Sequence, residues 1–261
     1  MLTGLYAIHL ELTSRCNKSC WMCGRRKIDK DYPEIKMNYG DMDIDLVYKI
    51  IYQIPKGIII HFHSNGEPLL YNELFSVLSW SYKQIRHFDT NGKLLLERIN
   101  DIIDNCECIT ISTFPNDSEA DKQFEDVKKF LEIKGDRKPR VMVRFTGDVQ
   151  NRERWDDLDV INRILHAPMG SYNYEKRIVK PEIGICLEVL NHLAIDRFGN
   201  VSNCVRFDYK KELVIGNLNK QTLDEIWNSK ERKEMVKKHI NGERNTLPLC
   251  KECDYWGIPR G

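Results

Sequence analysis

Nine cysteines lie in the 261 residues, and their spacing sorts them into Cys16, Cys20 and Cys23, then Cys106 and Cys108, then Cys186, Cys204, Cys250 and Cys253. An odd number cannot pair completely, and short repeated spacings suit metal ligation by thiolates better than disulfides. The first group is a compact Cys16-x3-Cys20-x2-Cys23 loop. Three thiolates from one loop suit a soft-ligand cluster and leave one coordination position open, which is what a catalytic metal site requires. A zinc site completed by His61 or His63 is the alternative. The last group offers four thiolates, a closed site that spacing alone allows to be structural zinc or an iron–sulfur cluster. Cys106 and Cys108 read as small buried apolar residues.

The elements that must position these sulfurs follow from periodicity. Short β-branched runs at Tyr6 to Leu12, Ile58 to His63, Arg86 to Asp89, Cys108 to Thr113 and Val141 to Phe145 read as strands, with a further one near Arg177 to Val179. Between them, apolar residues recur at helical spacing at Ile44, Val47, Ile50, Ile51 and Ile54, at Leu74, Val77, Leu78 and Ile85, at Leu95, Ile99, Ile102 and Ile103, and at Phe124, Val127, Phe130 and Leu131. About six βα units fit, fewer than a full eight-unit barrel needs. Residues 147 to 185 read as a helix and a linker. After Cys186, His192 to Ile195 and Val201 to Val205 flank a turn at Asp196-Arg197-Phe198-Gly199-Asn200, which predicts a hairpin. Thr222 with Glu225 predicts a capping box opening a helix that runs to Ile240. The expected fold is therefore α/β: a partial (β/α)6 TIM barrel over residues 1–180, then a small hairpin-plus-helix module over 181–261. The first cysteine group directly follows the first strand, at the end of the sheet where α/β barrels place their chemistry.

Composition narrows the partners. Forty Lys and Arg against 39 Asp and Glu give a net charge of +1, so nothing recommends nucleic acid or an anionic membrane. No apolar run of about 18 residues is present, and residues 1–14 lack the pattern of a signal peptide. The expectation is a cytoplasmic protein acting on something small.

With the Cys16-x3-Cys20-x2-Cys23 loop after the first strand, the sequence resembles the radical S-adenosylmethionine (SAM) superfamily. The resemblance implies a [4Fe–4S] cluster on those three cysteines, with SAM on the open iron and an adenosyl radical as the hydrogen-abstracting agent. Met22 then stands near the adenine, where the family usually has an aromatic residue. Asn65-Gly66-Glu67-Pro68 resembles the family's Gly-Gly-Glu-Pro loop, which meets the SAM ammonium group; a carboxylate and exposed carbonyls are what a cation needs. Thr90-Asn91-Gly92 resembles a turn near the cofactor, and Ser112 or Thr113 is placed to reach the ribose.

Residues 186 to 253 resemble the SPASM domain or its shorter Twitch form. That implies a second, fully ligated [4Fe–4S] cluster on Cys186, Cys204, Cys250 and Cys253 that passes electrons. In length and in both cysteine sets the chain resembles the 2-deoxy-scyllo-inosamine dehydrogenase-like members of the family, which implies oxidation of a hydroxyl-bearing carbon in a sugar or aminocyclitol. Asn151-Arg152 resembles an element of that group in which the arginine meets substrate, and Arg144, at the end of the fifth strand, is the rival catalytic candidate. A reducing partner such as flavodoxin or ferredoxin is implied. Maturation of a ribosomal peptide by crosslinking or epimerisation is the alternative, and a non-catalytic zinc or iron–sulfur module a remote one.

Overall fold

The computed structural model describes residues 1–31, 33–35, 38–163, 185–205, 208, 210–251 and 253. Among them nine strands form one sheet in the order β6-β5-β4-β3-β2-β1-β7-β8-β9. The first six are β1 (Ala7–Leu10), β2 (Ile59–His61), β3 (Ile85–Thr90), β4 (Cys108–Thr113), β5 (Arg140–Thr146) and β6 (Asp159–Arg163), each parallel to the next. The helices between them include α1 (Gly24–Asp31), α2 (Ile44–Gln53), α3 (Leu74–Trp80), α4 (Ile99–Ile102) and α5 (Ala120–Lys134). This is the partial α/β barrel the sequence led us to expect. No helix of the described residues is long and apolar enough to cross a membrane.

Local chemistry explains the helices. Asp43 accepts hydrogen bonds from the Asp45 and Leu46 amides and so caps α2, whose Leu46, Val47, Ile50 and Ile51 are buried. The α5 helix ends at Gly135, whose positive φ of 53° lets the chain leave the helix without a side-chain clash.

Period-2 alternation gives each strand two faces. Ile8, Leu10, Ile60, Phe62, Phe88, Ile109, Ile111, Val141 and Val143 are buried on the helix side. The opposite, concave face carries His9, His61, His63, His87, Asp89, Thr110, Ser112 and Arg144, so the interior of this barrel is polar.

The C-terminal part continues the same sheet. Helix α6 (Leu187–Asn191) runs into β7 (His192–Ile195), which pairs in parallel with β1, and β8 (Asn200–Ser202) and β9 (Val214–Asn217) add antiparallel strands. The predicted hairpin is present. Its turn is held by Asp196, whose carboxylate accepts from the Phe198 and Asn200 amides at 3.0 and 2.9 Å, and by Gly199 at φ 77°.

Three expectations need correction. The segment read as helix and linker contains a 3₁₀ turn, Arg152–Trp155, and the strand β6. Its charges mislead because, among the described residues, β6 is an edge strand, with Asp159 paired to Arg140 at 2.6 Å in solvent. The single helix from Thr222 to Ile240 is two: α7 (Leu223–Trp227) opens with the expected Thr222–Glu225 capping box, but Ser229 accepts from the Arg232 amide and starts α8 (Lys230–Ile240) afresh. Strand β9 was not foreseen. The strand expected near Arg177 to Val179 lies outside the described residues.

Candidate active site

The chain leaving β1 is held rigidly before it reaches Cys16. The Arg15 guanidinium donates to both carboxylate oxygens of Asp41, at 2.9 and 2.6 Å, and to the Leu70 carbonyl. Ser14 exchanges bonds with Gly40, and Arg25 from α1 donates to the Ser14 carbonyl at 2.7 Å. Beyond Cys16, Lys18 forms a buried ion pair with Asp117 at 2.5 Å, and the Trp21 indole donates to the Pro115 carbonyl. The Cys23 amide turns back to the Cys20 carbonyl at 3.1 Å.

Gly66 presses directly on this chain. A Cβ there would stand 2.0 Å from the Thr13 carbonyl oxygen and 2.7 Å from that of Arg15, and the Glu67 amide donates to the Arg15 carbonyl at 2.8 Å. Only glycine fits this approach.

Cys16, Cys20, Met22 and Cys23 line one cleft of about 250 Å³ with Asn65, Gly66, Glu67, Thr90, Asn91, Ser112 and Arg144. Of the other residues the sequence pointed to, Pro68, Thr113 and Arg152 do not line the cleft: Pro68 is buried at the start of a 3₁₀ turn, and Arg152 folds onto its own loop. Its guanidinium donates to the Gly147 carbonyl at 2.9 Å and lies over the Phe145 ring at 4.8 Å. Thr113 donates to the Arg144 carbonyl instead of facing the cleft.

Glu67 is 2 % exposed and ties two strand ends together. Its carboxylate accepts from the Thr90 hydroxyl at 2.7 Å, the Asn91 amide at 2.8 Å and the Leu69 amide at 3.2 Å. Burial pushes its carboxyl up to about 7 against the pull of these donors. The Asn91 side-chain amide reaches 3.8 Å from the Cys16 sulfur and donates to the Asn17 side-chain oxygen at 2.8 Å.

Below the thiols, Arg144, His61 and His63, all named from the sequence, meet two residues it did not single out, Asp89 and His87. Asp89, 3 % exposed, is held by both terminal nitrogens of Arg144, one of them at 2.9 Å from Oδ1. His61 Nε2 lies 3.2 Å from it, and His63 and His87 each 3.6 Å. Burial works against the Asp89 carboxylate, but Arg144 and the imidazoles outweigh it and hold the carboxyl well below its ordinary value. Burial pushes His63 down to about 3 and His87 to about 4, so both are neutral near pH 7. The signal was legible: these histidines all fall on the inward phase of their strands.

The three thiols fit an iron–sulfur cluster. They are free rather than paired, they open on a cleft instead of being enclosed, and burial pushes Cys20 up to about 12, so a metal is what would hold them as thiolates. In the C-terminal part, burial first and then the neighbouring Cys253 and Cys186 push Cys250 up to about 12, which places these three sulfurs in one electrostatic neighbourhood. Arg244 donates to the Cys250 carbonyl, and the Cys253 amide turns to that same carbonyl. Cys204 follows β8, its amide bonded to the Ser202 hydroxyl. Cys106 is buried, and the Cys108 thiol lies beside the Ile109 carbonyl at the start of β4, at the far end from the cleft.

Residues 186–254 match the SPASM iron–sulfur cluster-binding domain. Over 254 residues the chain is 24% identical to the S-adenosyl-L-methionine-dependent 2-deoxy-scyllo-inosamine dehydrogenase of Niallia circulans, covering 95% of this chain and 92% of that one. Its fold is similar to the crystal structure of BtrN in complex with AdoMet and 2-DOIA, with a TM-score of 0.60 at 20% identity over 95% of this chain and 92% of the other. It is also similar to Streptococcus suis SuiB bound to the precursor peptide SuiA, with a TM-score of 0.66 at 12% identity over 96% of this chain and 71% of that one.

Proposed function

We propose that this chain, a radical SAM oxidoreductase with a C-terminal SPASM domain, oxidises a hydroxyl-bearing carbon of a sugar- or aminocyclitol-like small molecule. Bound at the two cysteine sets, iron–sulfur clusters with SAM supply one-electron cleavage of a sulfonium and hydrogen-atom abstraction from carbon. Cys16, Cys20 and Cys23 would hold the first cluster beside the cleft. Asn65, Gly66 and Glu67 form the wall that would receive the SAM ammonium, with Thr90 and Asn91 bonded to Glu67 beside them. Met22 would serve the adenine, and Ser112 would offer a hydroxyl to the ribose.

Arg144 and Asp89 face the cleft as a charge-balanced pair, able to orient a neutral polyol through hydrogen bonds. His63, neutral and beside Asp89, stands where a hydroxyl proton can be received. Arg152 braces the loop after β5 through Gly147, so it positions Arg144's neighbours. Cys186, Cys204, Cys250 and Cys253 would ligate the second cluster fully, which suits electron acceptance rather than substrate binding. A functional division near residue 180, with 1–180 for radical initiation and 181–261 for the second cluster, follows from this reading, and a flavodoxin- or ferredoxin-type donor fits the need for electrons.

The observation that carries the proposal is the gathering of three free thiols, the Glu67–Thr90–Asn91 tie and the Asp89–Arg144 pair around one cleft. The test is anaerobic: protein carrying about eight irons per chain, reduced and given SAM with 2-deoxy-scyllo-inosamine as the probe alcohol, followed by mass spectrometry. A ketone lighter by two hydrogens, formed with 5′-deoxyadenosine, is expected. SAM cleavage coupled only to a peptide substrate would favour the peptide-maturing reading instead, which the similarity to SuiB keeps in view.

A further inference from the structure

A second set of ligating groups lies in the barrel interior, away from the cysteine cleft. His9 on β1, Glu188 on α6 and His192 on β7 bring one donor atom each within 4.8 Å of one another, all three partly buried. None of them lines the cleft described above. The fold fixes all three. Glu188 and His192 are one helical turn apart, and the His192 amide donates to the Glu188 carbonyl. Parallel pairing of β1 with β7 sets Ala7 opposite His192, so His9 is the next inward residue on the same face.

We propose that His9, Glu188 and His192 form a binding site for one divalent transition cation of the zinc type, joining β1 to the segment that carries Cys186. Two imidazoles and a carboxylate are a donor set for such an ion, with water completing a tetrahedron. The His192 ring has a fixed direction: its Nδ1 lies 2.6 Å from the Asn191 side-chain oxygen and 3.8 Å from a Glu188 carboxylate oxygen. His9 is packed between the rings of His61, at 4.7 Å, and His192, at 5.9 Å. His61, His87 and Asp89 converge equally closely. That set is the poorer host, because both terminal nitrogens of Arg144 occupy Asp89.

The site is independent of the radical chemistry, and so is its test. Holoenzyme with its iron–sulfur clusters loaded is stripped with a chelating resin, dialysed against micromolar zinc, and assayed for zinc and iron per chain. Zinc X-ray absorption then identifies the donors. The expected result is one zinc per chain with nitrogen and oxygen at about 2.0–2.1 Å and no sulfur at about 2.3 Å. Glu188→Gln and His192→Ala each weaken zinc binding at least about tenfold while iron content stays unchanged, and His87→Ala keeps the zinc. Failure of the wild-type protein to retain zinc overturns the proposal, as does sulfur in the zinc shell, or loss of zinc in His87→Ala with retention in His192→Ala. If a variant fails to fold, the wild-type absorption spectrum alone decides.

Discussion

The two cysteine sets are built in opposite ways. Cys16, Cys20 and Cys23 come from eight consecutive residues on a loop that is braced from outside, by Arg15–Asp41, Lys18–Asp117 and the contact of Gly66 with Thr13. Cys186, Cys204, Cys250 and Cys253 come from the start of α6, the end of β8 and the tail, and packing of the intervening hairpin and helices brings at least Cys186, Cys250 and Cys253 into one electrostatic neighbourhood. The first set lines a cleft. The second, on the function proposed above, would give all four thiolates to one cluster. On that reading, openness to a ligand comes from using few ligands on a short loop, and closure from gathering many across a module.

The largest effect that separates the two is expected from the thiols themselves. Cys20→Ala should abolish SAM cleavage and remove about half the iron, whereas Cys250→Ala should remove a similar amount of iron yet leave SAM cleavage in place and lose only the net oxidation. Iron analysis with product assays checks both. Equal loss of SAM cleavage in the two variants would break the contrast.

Next comes the brace. Gly66→Ala puts a methyl group 2.0 Å from the Thr13 carbonyl oxygen, so the loop must shift. The expected cost is about 1–3 kcal/mol of stability, with a lower SAM affinity and an unchanged auxiliary cluster, read by denaturant unfolding and by SAM titration.

Protonation sharpens the account of the cleft. His63 and His87 titrate at about 3 and about 4 in the folded chain against 6.5 when exposed, so the unfolded chain binds more protons and stability falls as pH drops from 6.5 toward 4. Glu67 acts the other way: its folded value of about 7 against 4.5 means that the native state holds the extra proton, and its contribution is lost as pH rises from 4.5 through 7. Two imidazoles outnumber one carboxyl, so the wild type should lose stability on acidification between pH 6.5 and 5. His87→Gln should flatten that slope and Glu67→Gln should steepen it, as measured by urea midpoints.

The smallest effect belongs to the C-terminal module. Thr222→Ala removes the capping box of α7 and should cost about 1 kcal/mol, with SAM cleavage unchanged. A loss of radical initiation in this variant would mean that the two regions are not separable.

How much of this could be read from residue order depended on distance along the chain. The Cys16–Cys23 loop, the hairpin turn at Asp196 and the capping box at Thr222 are local, and their chemistry is written within a few residues. Strand β6 escaped because an edge strand keeps its charges in solvent and so lacks alternation, and the split at Ser229 escaped because a capping serine sits inside an apparently continuous helical pattern. The grouping of Asp89 with its histidines escaped for another reason. His9 is on β1, His61 ends β2 with His63 just beyond it, and His87 is on β3, and only the parallel register brings them together.

The central claim is tested most directly by electron paramagnetic resonance of a Cys250→Ala, Cys253→Ala double variant, reduced anaerobically so that only the Cys16–Cys20–Cys23 cluster contributes a signal. Addition of SAM should change the signal's g-values, as expected when a ligand occupies the open iron corner. An identical spectrum with and without SAM, at saturating SAM and full cluster occupancy, would contradict the account.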